Sequence, residues 1–452
     1  MKNRKGASAF FSLENYGDKM KIYLEDKNKR KIVYDILNIF FDHAEINFVE
    51  NEVKADIKIK KDLLNIAGRN FKYKTNQDIK VFLYDYLTKK TGYKSPWGTL
   101  TGSKPSKLLK NKDLEEIKNV YRVSDEKLEL LDKVKKEQEK LNIDENNFSL
   151  YINIPFCPTR CDYCSYPTLI GAHHDKGVYA KYLIKEIEEI KLGENLDAIY
   201  IGGGTPSILS HNEIERLLDT INNKFTYKEF TFEAGREDTL DYKKLEILKN
   251  GGVSRISLNP QTFNRDVLKK LNRDIDMDHF LDVYKYLKDL DFIVNMDFIV
   301  GLVGESAKDF SKNFIILKDL LPDNITFHAL AIKSGSKYDE KGATGEGEDS
   351  LKIAENIKDF ADKYDYFPYY LYRQKNIIEN LENVGYQRKF TAQRYNVIIN
   401  EEIGSIVGVG MNANSKLISG KKFRNPRNLR DYYQDFETNL TDKNKIIEEL
   451  RR

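Results

Sequence analysis

Three cysteines lie within eight residues of one another and are the only cysteines of this 452-residue chain: Cys157, Cys161 and Cys164. Their Cys-x3-Cys-x2-Cys spacing gathers three soft thiolate ligands on one short loop. Such a set suits a [4Fe–4S] cluster in which one iron stays open to a ligand that is not protein. The alternative is a zinc site with His173 or His174 as the fourth ligand, although the second, distant ligand pair that is usual in zinc motifs is missing.

A run of glycines, Tyr200-Ile-Gly-Gly-Gly-Thr-Pro206, is the next feature that indicates a ligand. Glycines let a backbone approach a bound molecule closely and leave its N–H and C=O groups free to bind it. A tight turn between a strand and a helix is the alternative explanation. The expected position of the run, beside the cysteine loop, favours the ligand.

Polar side chains end or interrupt later apolar runs, and four of them are candidates for binding a ligand: Glu233, Gln261, Arg273 and Asp297. Glu233 is flanked by apolar residues and needs a donor, which could be a ligand or an internal arginine. Gln261 would present an amide from a loop, and Arg273 could pair with a carboxylate or remain a surface charge. Asp297 could bind a ribose diol or a neighbouring backbone group.

Short apolar runs alternate with helical periods from about residue 148 onward. The runs predict six strands, at 149–154, 198–201, 229–232, 254–258, 294–300 and 325–331. The helical periods predict helices at 178–191, 214–223, 242–249, 279–290, 309–320 and 351–364. Six β–α units in series predict a parallel sheet that closes only partly, a (β/α)6 barrel. The cysteine loop follows the first strand, so we expect it at the carboxyl ends of the strands, where such folds keep their chemistry.

Residues 1–145 are rich in lysine, glutamate and aspartate and predict a small α+β domain. Alternating residues at 45–49 and 53–60 indicate two strands, and Asn51-Glu52 between them indicates a hairpin turn. Helices are predicted at 31–41, 77–90 and 124–140. No residue pattern in this domain indicates a catalytic site.

The rest of the chain divides into the barrel, residues 146–340, and a C-terminal α+β segment, residues 341–452, that packs on the barrel and covers the substrate. This segment begins with an aromatic stretch near residue 367 and continues into a glycine-rich strand at 403–416. The charged, glycine-rich stretch 333–349 predicts a mobile loop. The predicted fold class is therefore α/β, with a partial barrel between two α+β parts.

The overall composition narrows the class of protein. Lysine and arginine total 74 and aspartate and glutamate total 71, so the net charge gives no argument for a nucleic-acid partner. No apolar run reaches the length of a membrane span, and the basic N-terminus lacks the apolar run of a signal peptide. Three clustered cysteines do not make a disulfide framework. We expect a globular protein of the reducing cytoplasm.

Together these motifs resemble the radical S-adenosylmethionine (radical SAM) superfamily, which carries Cys-x3-Cys-x2-Cys on the first loop of a partial (β/α)6 barrel. The resemblance extends to its HemN-like branch, the oxygen-independent coproporphyrinogen III oxidases. It rests on Leu150-Tyr-Ile-Asn-Ile-Pro-Phe-Cys157, Gly202-Gly-Gly-Thr-Pro206, Pro260-Gln-Thr-Phe263 and Asp297-Phe-Ile-Val-Gly-Leu302. Markers of the HemZ group are Trp97-Gly-Thr-Leu-Thr-Gly102, Cys157-Pro-Thr-Arg-Cys161, Pro368-Tyr-Tyr-Leu-Tyr-Arg-Gln-Lys375 and Glu382-Asn-Val-Gly-Tyr386.

The resemblance implies two cofactors, a [4Fe–4S] cluster and S-adenosylmethionine (SAM). Three irons would be bound by Cys157, Cys161 and Cys164. The fourth iron would chelate the amino and carboxylate groups of SAM. The other positions that match SAM-binding residues are Tyr163 beside the adenine, Gly203, Gly204 and Thr205 at the methionyl end, and Glu233, Gln261, Arg273 and Asp297 around the carboxylate, amine and ribose. Tyr151 matches a tyrosine near the cofactor or substrate, and we assign it to the catalytic and the cofactor-binding residues.

The implied activity is that of a radical SAM oxidoreductase. An electron from the cluster cleaves SAM, and the resulting 5′-deoxyadenosyl radical takes a hydrogen from a propionate of coproporphyrinogen III. Carbon dioxide then leaves and an electron passes to an acceptor, which gives a vinyl group. Two such reactions give protoporphyrinogen IX for heme biosynthesis. A reductase, flavodoxin or ferredoxin would donate electrons. Arg160, Arg373 and Arg388 are candidates for binding the propionates.

Tyr166 marks a departure from the enzymes of this branch. They carry a further cysteine two residues after the third ligand, where this chain has Tyr166. Heme chaperones on the same scaffold also lack that cysteine, so heme binding and delivery is an alternative function. Another radical SAM reaction on a tetrapyrrole, such as methyl transfer with ring opening, is a third.

Overall fold

The structure, a computed structural model, describes residues 20–41, 45–102, 104–171, 173–333, 335–343, 345, 347–374 and 377–451. Contacts divide the chain into two compact units, 1–132 with 373–375 and 133–372 with 376–452. The three functional domains predicted from the sequence, 1–145, 146–340 and 341–452, stay a prediction. Among the described residues no helix is both long enough and apolar enough to cross a membrane.

The smaller unit contains, in its described part, a five-stranded sheet with the helices Arg30–Leu37 and Asn76–Thr91. Its strands lie in the spatial order Ile46–Phe48, Met20–Leu24, Ile57–Ile59, Leu63–Ile66 and Arg69–Lys72. Both helices bury one apolar face, and Val33, Leu37 and Leu83 are fully buried in the resulting core. This unit is an α+β fold, as predicted.

The predicted hairpin at Asn51-Glu52 is wrong. The strands on either side of it both pair in parallel with Met20–Leu24, which lies between them. Asn51 Oδ1 accepts a hydrogen bond from Val53 N at 2.9 Å and begins the short 3-10 helix Glu52–Lys54. The strand that separates the two comes from a distant part of the sequence, so local alternation could not reveal it.

The larger unit is built on six strands that adjoin in sequence order, and every adjacent pair is parallel. They are β1 (Phe148–Ile154), β2 (Asn195–Gly203), β3 (Phe230–Glu233), β4 (Arg255–Ser257), β5 (Ile293–Val300) and β6 (Asn324–Ala329). Each overlaps the range predicted for it. The α/β class and the series of β–α units are confirmed.

Helices separate or follow these strands: α1 (Lys176–Glu189), α2 (His211–Lys224), α3 (Tyr242–Asn250), α4 (Met277–Asp289), α5 (Lys312–Leu320) and α6 (Gly347–Lys363). A capping box of Ser210 and Glu213 begins α2, where each side chain binds the backbone N–H of the other. The helix predicted at 309–320 is split, because Ala307–Phe310 forms a helix of its own before α5.

The C-terminal strands extend the same sheet at both edges. They are β7 (Phe367–Tyr372), β8 (Asn383–Gln387), β9 (Ser405–Val409), β10 (Asn414–Lys416) and β11 (Lys422–Arg424). β8 pairs antiparallel with β6 and β7, whereas β9 pairs in parallel with β1. In the described part of the chain this sheet has 12 strands. The segment predicted to pack on the barrel therefore continues its sheet.

Candidate functional site

One side chain in each of five parallel strands is partly exposed although its neighbours along the strand are buried: Tyr151, Tyr200, Glu233, Asp297 and His328. Successive side chains of a strand point to opposite faces, and one face is covered by helices. The five residues therefore lie on the other, inner face. Three of them, Tyr151, Glu233 and Asp297, are predicted from the sequence, in which Tyr200 appears only as the start of the glycine run.

The polar residues of this inner face contact one another from strand to strand. Asp297 Oδ2 lies 3.6 Å from His328 Nε2, and His328 Nδ1 lies 3.2 Å from the hydroxyl of Tyr372 on β7. Burial would raise the pKa of Asp297, but His328 and Asn295, whose Nδ2 donates to Asp297 Oδ1 at 2.9 Å, hold it below its usual value. Asp297 is thus an ionised acceptor on the inner face.

Glu233 is the second carboxyl group of the inner face and behaves in the opposite way. Burial, and then the negative charge of Asp297, raise the pKa of Glu233 to about 7. A hydrogen bond from Tyr200 opposes this shift in part. The arginines considered as internal partners are engaged elsewhere, since Arg236 pairs with Asp238 and Arg255 with Glu229. Two neighbouring carboxyl groups with separated pKa values are typical of a binding or reaction site.

The cysteine loop leaves the carboxyl end of β1. Its first residues, Phe156–Cys157, pair in parallel with Leu169–Ile170. The segment after the third cysteine therefore lies beside the start of the loop. Cys161 is buried, and Cys157 and Cys164 are partly exposed. Burial raises the pKa of the Cys157 and Cys164 thiols. A bound metal cation would reverse that direction, because coordination favours the thiolate.

The glycine run lies directly against the cysteine loop. Gly204 N donates to Ile154 O at 2.8 Å, and Thr205 donates from its N to Phe156 O at 2.7 Å and from its Oγ1 to Cys157 Sγ at 3.4 Å. A Cβ added at Gly204 would stand 2.4 Å from Phe156 O and 3.0 Å from Cys157 Sγ. The glycine is therefore required for the close approach of the two segments. The run lies beside the cysteine loop as predicted, and its role in binding a ligand stays a prediction.

Gly203 is the last residue of β2 and has a positive φ of 117°. A Cβ at this position would stand 2.2 Å from Asn153 Oδ1. Asn153 in turn accepts a hydrogen bond from Tyr151 OH at 3.0 Å and donates to Met411 O at 2.6 Å. The glycine run, Tyr151 and the cysteine loop thus meet at the carboxyl ends of β1 and β2.

Arg273 is buried and supports the loops around the cysteines. Its Nη2 donates to Gly235 O at 2.8 Å and to Asn259 O. Burial lowers the pKa of the Arg273 guanidinium, but Tyr163 and Cys161 outweigh this effect, and the pKa lies above its usual value. The structure thus places Arg273 beside the cysteine loop, with part of its guanidinium bound to backbone carbonyls.

Gln261 has an unusual backbone for its residue type, with a φ of 66°. Its N–H donates to Asp297 O and its carbonyl accepts from Ile299 N, both at 2.9 Å. These bonds tie the loop after β4 to β5 beside Asp297. The predicted proximity of Gln261 to the site is seen in the backbone, and its role in binding a ligand stays a proposal.

Asp162, between the second and third cysteines, is the buried anchor of the loop. Its Oδ2 accepts from Lys341 Nζ at 2.6 Å, its Oδ1 lies 3.3 Å from Lys337 Nζ, and its backbone carbonyl accepts from Tyr338 N at 3.1 Å. Burial opposes ionisation, but the two lysines lower the pKa of Asp162. The stretch predicted as a mobile loop at 333–349 thus contains the helix Lys337–Glu340, which holds the cysteine loop.

Tyrosines form much of the surface around the site. Tyr200 stacks on Tyr395 with ring centroids 4.6 Å apart, and Tyr151 stacks on Tyr200 at 6.2 Å. Tyr166 is 64% exposed, yet protein surrounds it closely. Burial, and then the charges of Glu233, Cys164 and Asp297, raise the pKa of Tyr166 to about 12. Tyr166 is thus an accessible ring close to the third cysteine and to the two carboxyl groups of the inner face.

These residues fit a three-thiolate [4Fe–4S] cluster with SAM. The loop supplies three thiols and no fourth cysteine, and the backbone of Gly204 packs directly against Cys157. In the described ranges no three His, Cys, Asp or Glu side chains converge as a single metal ion requires. The polar inner face begins next to the cysteines and offers an ionised carboxylate, a carboxyl group of raised pKa and hydroxyl groups.

Known proteins support the same fold and family. The model of the radical SAM superfamily matches residues 151–314. The chain is 34% identical over 415 residues to the oxygen-independent coproporphyrinogen-III oxidase-like protein HemZ of Bacillus subtilis, which covers 84% of this chain and 82% of that protein. It is 30% identical over 318 residues to the heme chaperone HemW of Lactococcus lactis, covering 67% and 80%.

A solved structure shows the same fold. Coproporphyrinogen III oxidase (HemN) from Escherichia coli superposes with a TM-score of 0.54 at 20% identity, over 67% of this chain and 72% of that one. The long match to HemZ, together with the superfamily match over the cysteine loop and the parallel strands, establishes the family. The chain belongs to the radical SAM superfamily, in its HemN/HemZ-like branch of oxygen-independent coproporphyrinogen III oxidases.

Proposed function

We propose that this protein is a radical SAM oxidoreductase that converts two propionates of coproporphyrinogen III to vinyl groups without oxygen, giving protoporphyrinogen IX. The observation that carries the proposal is the junction of the cysteine loop, the glycine run and the polar inner face at the carboxyl ends of β1 and β2. The extended similarity to HemZ favours this substrate. The setting expected for it is the cytoplasm, with a reductase, flavodoxin or ferredoxin as electron donor.

The cofactors would be held by residues that the structure brings together. Cys157, Cys161 and Cys164 would each bind one iron, and SAM would bind the fourth. When bound, this pair supplies reductive cleavage of the sulfonium and abstraction of a substrate hydrogen. Thr205 would support Cys157, because its hydroxyl already donates to that sulfur.

The carboxyl groups of the inner face have separate proposed roles in this site. Asp297 is held ionised and would accept hydrogen bonds from the ribose hydroxyls. Glu233 lies between Tyr200 and Asp297 and would accept a hydrogen bond from the amino group of SAM, which would return the pKa of Glu233 towards its ordinary value. Gln261, Arg273 and Tyr163 would complete the cofactor-binding set.

The aromatic residues would exclude water and position the substrate. A carbon-centred radical attacks any nearby C–H bond, so the reacting carbon must be held in contact with the cofactor and shielded from solvent. Tyr151, Tyr200 and Tyr395 form a stacked wall, and Tyr166 lies opposite the carboxyl groups on the cysteine side. For Tyr151 we propose contact with the reacting groups.

Anaerobic turnover tests the proposal. Reconstituted protein is incubated with dithionite, SAM and coproporphyrinogen III, and the products are separated and weighed by mass spectrometry. We expect 5′-deoxyadenosine and a tetrapyrrole that has lost two carboxyl groups, and neither with the Cys161→Ala variant, which also loses the brown colour. Cleavage of SAM without a vinyl product contradicts the proposed substrate. A methylated or ring-opened product indicates a different tetrapyrrole reaction.

Heme delivery is the second candidate function, and Tyr166 is the observation that favours it. This residue stands where the oxidases carry a further cysteine, and the chain is also similar to a heme chaperone over most of that protein's length. A heme titration of the purified protein distinguishes the two. Stoichiometric binding with a Soret shift and no turnover favours delivery, and no Soret shift removes it.

A further inference from the structure

The inner face of the barrel does not supply the cations that a tetrapyrrole with several carboxylates requires. Five described side chains form this face, one from each of five parallel strands. Apart from the two tyrosines, they are Glu233, Asp297 and His328. Two of these are carboxyl groups, and the imidazole lies against one of them. A buried carboxylate of a substrate needs a charged or hydrogen-bonding partner. That partner must therefore come from the rim of the barrel.

The arginines considered for this task already have partners. Arg160 donates to the carbonyl of Gly335, and Arg373 donates to that of Leu100. Arg388 follows β8, whose last residue pairs with the first residue of β6. Because the cysteine loop lies at the carboxyl ends of the strands, Arg388 is at the opposite end of the sheet.

Lys333 lies at the correct end. It follows β6 at the carboxyl ends of the strands, and its carbonyl accepts hydrogen bonds from Ser336, from N at 3.1 Å and from Oγ at 2.8 Å. These bonds fix its backbone in a turn. Ile332, the residue before it, packs on the same apolar cluster as Tyr163 of the cysteine loop. Lys333 thus stands beside that loop, just after the last of the six parallel strands.

Lys333 also lacks an anionic partner. No carboxylate in the described part of the chain lies within ion-pair distance of its ammonium, whereas the nearby Lys337 and Lys341 both pair with Asp162. Its side chain is exposed. Lys333 is therefore an accessible cation beside the cysteine loop, with no carboxylate of the described residues to neutralise it.

We infer that Lys333 binds a carboxylate of the substrate at the mouth of the barrel. The identity of that substrate as coproporphyrinogen III rests on the proposed function, whereas recognition of a carboxylate follows from the charge and place of Lys333. The reacting propionate loses its carboxylate, so Lys333 holds a neighbouring propionate that survives the reaction. A lysine suits this task, because its ammonium is a point charge on a flexible stem that can follow the ligand.

Porphyrin binding to the reconstituted holoprotein tests the inference. The probes are coproporphyrin III, which has four carboxylates, and its tetramethyl ester, which has none, both followed by fluorescence under anaerobic conditions. The variants are Lys333→Met and Lys333→Arg, with Lys352→Met as the control for loss of an exposed lysine. Iron content and SAM affinity are measured on each protein, and thermal unfolding checks the fold.

We expect Lys333→Met to weaken binding of the tetracarboxylate about tenfold, the size expected for one hydrogen bond to a charged group. The ester should bind the wild type and Lys333→Met equally, Lys333→Arg should restore most of the affinity, and Lys352→Met should have no effect. In turnover, KM should rise more than kcat falls. Equal affinity of the wild type and Lys333→Met for the tetracarboxylate overturns the inference, as does a change confined to SAM affinity or iron content.

The binding assay also separates this inference from the proposed function. If the wild type decarboxylates coproporphyrinogen III and Lys333→Met does so with the same KM, the inference fails and the proposed function stands. If the wild type binds the tetracarboxylate through Lys333 but forms no vinyl product, the proposed function fails and the inference stands.

Discussion

Replacing Gly204 by alanine tests whether the glycine run sets the position of the cysteine loop. The new Cβ would stand 2.4 Å from Phe156 O, and ordinary contact begins at 3.4 Å, so the two segments must separate by about 1 Å. The atom met is a backbone oxygen, and it cannot turn aside as a long side chain would. Overpacking of this kind costs about 1–3 kcal/mol. The same shift breaks the support of Cys157 by Thr205, whose hydrogen bond is 3.4 Å long.

The assay for Gly204→Ala has two readouts. Urea unfolding should report a loss of about 1–3 kcal/mol, and anaerobic reconstitution should give fewer irons and sulfides per chain than the wild type. Gly177→Ala is the matched control, since its Cβ would meet no backbone atom and only two side-chain oxygens, of Glu213 at 3.2 Å and of Asp175 at 3.3 Å. Wild-type iron content with an unchanged unfolding midpoint in Gly204→Ala would refute the steric argument.

Three further predictions concern charged groups. The pKa of Glu233 rises from 4.5 to about 7 on folding, so between these pH values the unfolded chain ionises this group more readily than the folded one. Its contribution therefore lowers the free energy of unfolding as pH rises through this range. Glu233→Gln should remove that part of the pH dependence when urea unfolding is compared at pH 5 and pH 8. Lys443→Met should lower the free energy of unfolding by about 3–5 kcal/mol in the same assay, because it leaves Glu186 buried without its cation. The double variant Lys443→Met with Glu186→Gln should recover part of that loss. Equal losses in the single and the double variant contradict this explanation. Asp162→Asn should release the helix Lys337–Glu340 and speed loss of iron in air, whereas an unchanged rate means that this helix does not hold the loop.

The parallel strands were predictable because each is a short apolar run between helical periods, and the structure places all of them in sequence order. Pairing between distant segments was not predictable in the same way. Nothing local to Ser405–Val409 shows that it lies beside β1, and nothing near Asn51 shows that Met20–Leu24 separates its neighbours. Such contacts depend on which edge of a sheet remains open after the local elements have formed.

The place of the candidate site was predictable where residue type and spacing are unusual. The three cysteines, the glycine run and the carboxyl groups within apolar strands all met that condition. Tyr200, Tyr372 and Tyr395 did not, because tyrosine is an ordinary residue in strands and helices near a core. Their importance depends on the face to which each side chain turns. Strict alternation along β2, with Tyr200 set against the buried Ile199 and Ile201, is the signal that could have found one of them.

The pairing of β9 with β1 has a consequence for how the protein matures. Ser405 lies opposite Phe148 in this pair, so the strand that carries the cysteine loop keeps an open edge until more than 250 further residues have been synthesised. At ribosomal rates that interval is on the order of ten to fifty seconds. During it the loop has no completed sheet behind it, and the buried Lys443 has not yet reached Glu186. The sheet beside the cysteine loop is therefore completed only after all six parallel strands have been made.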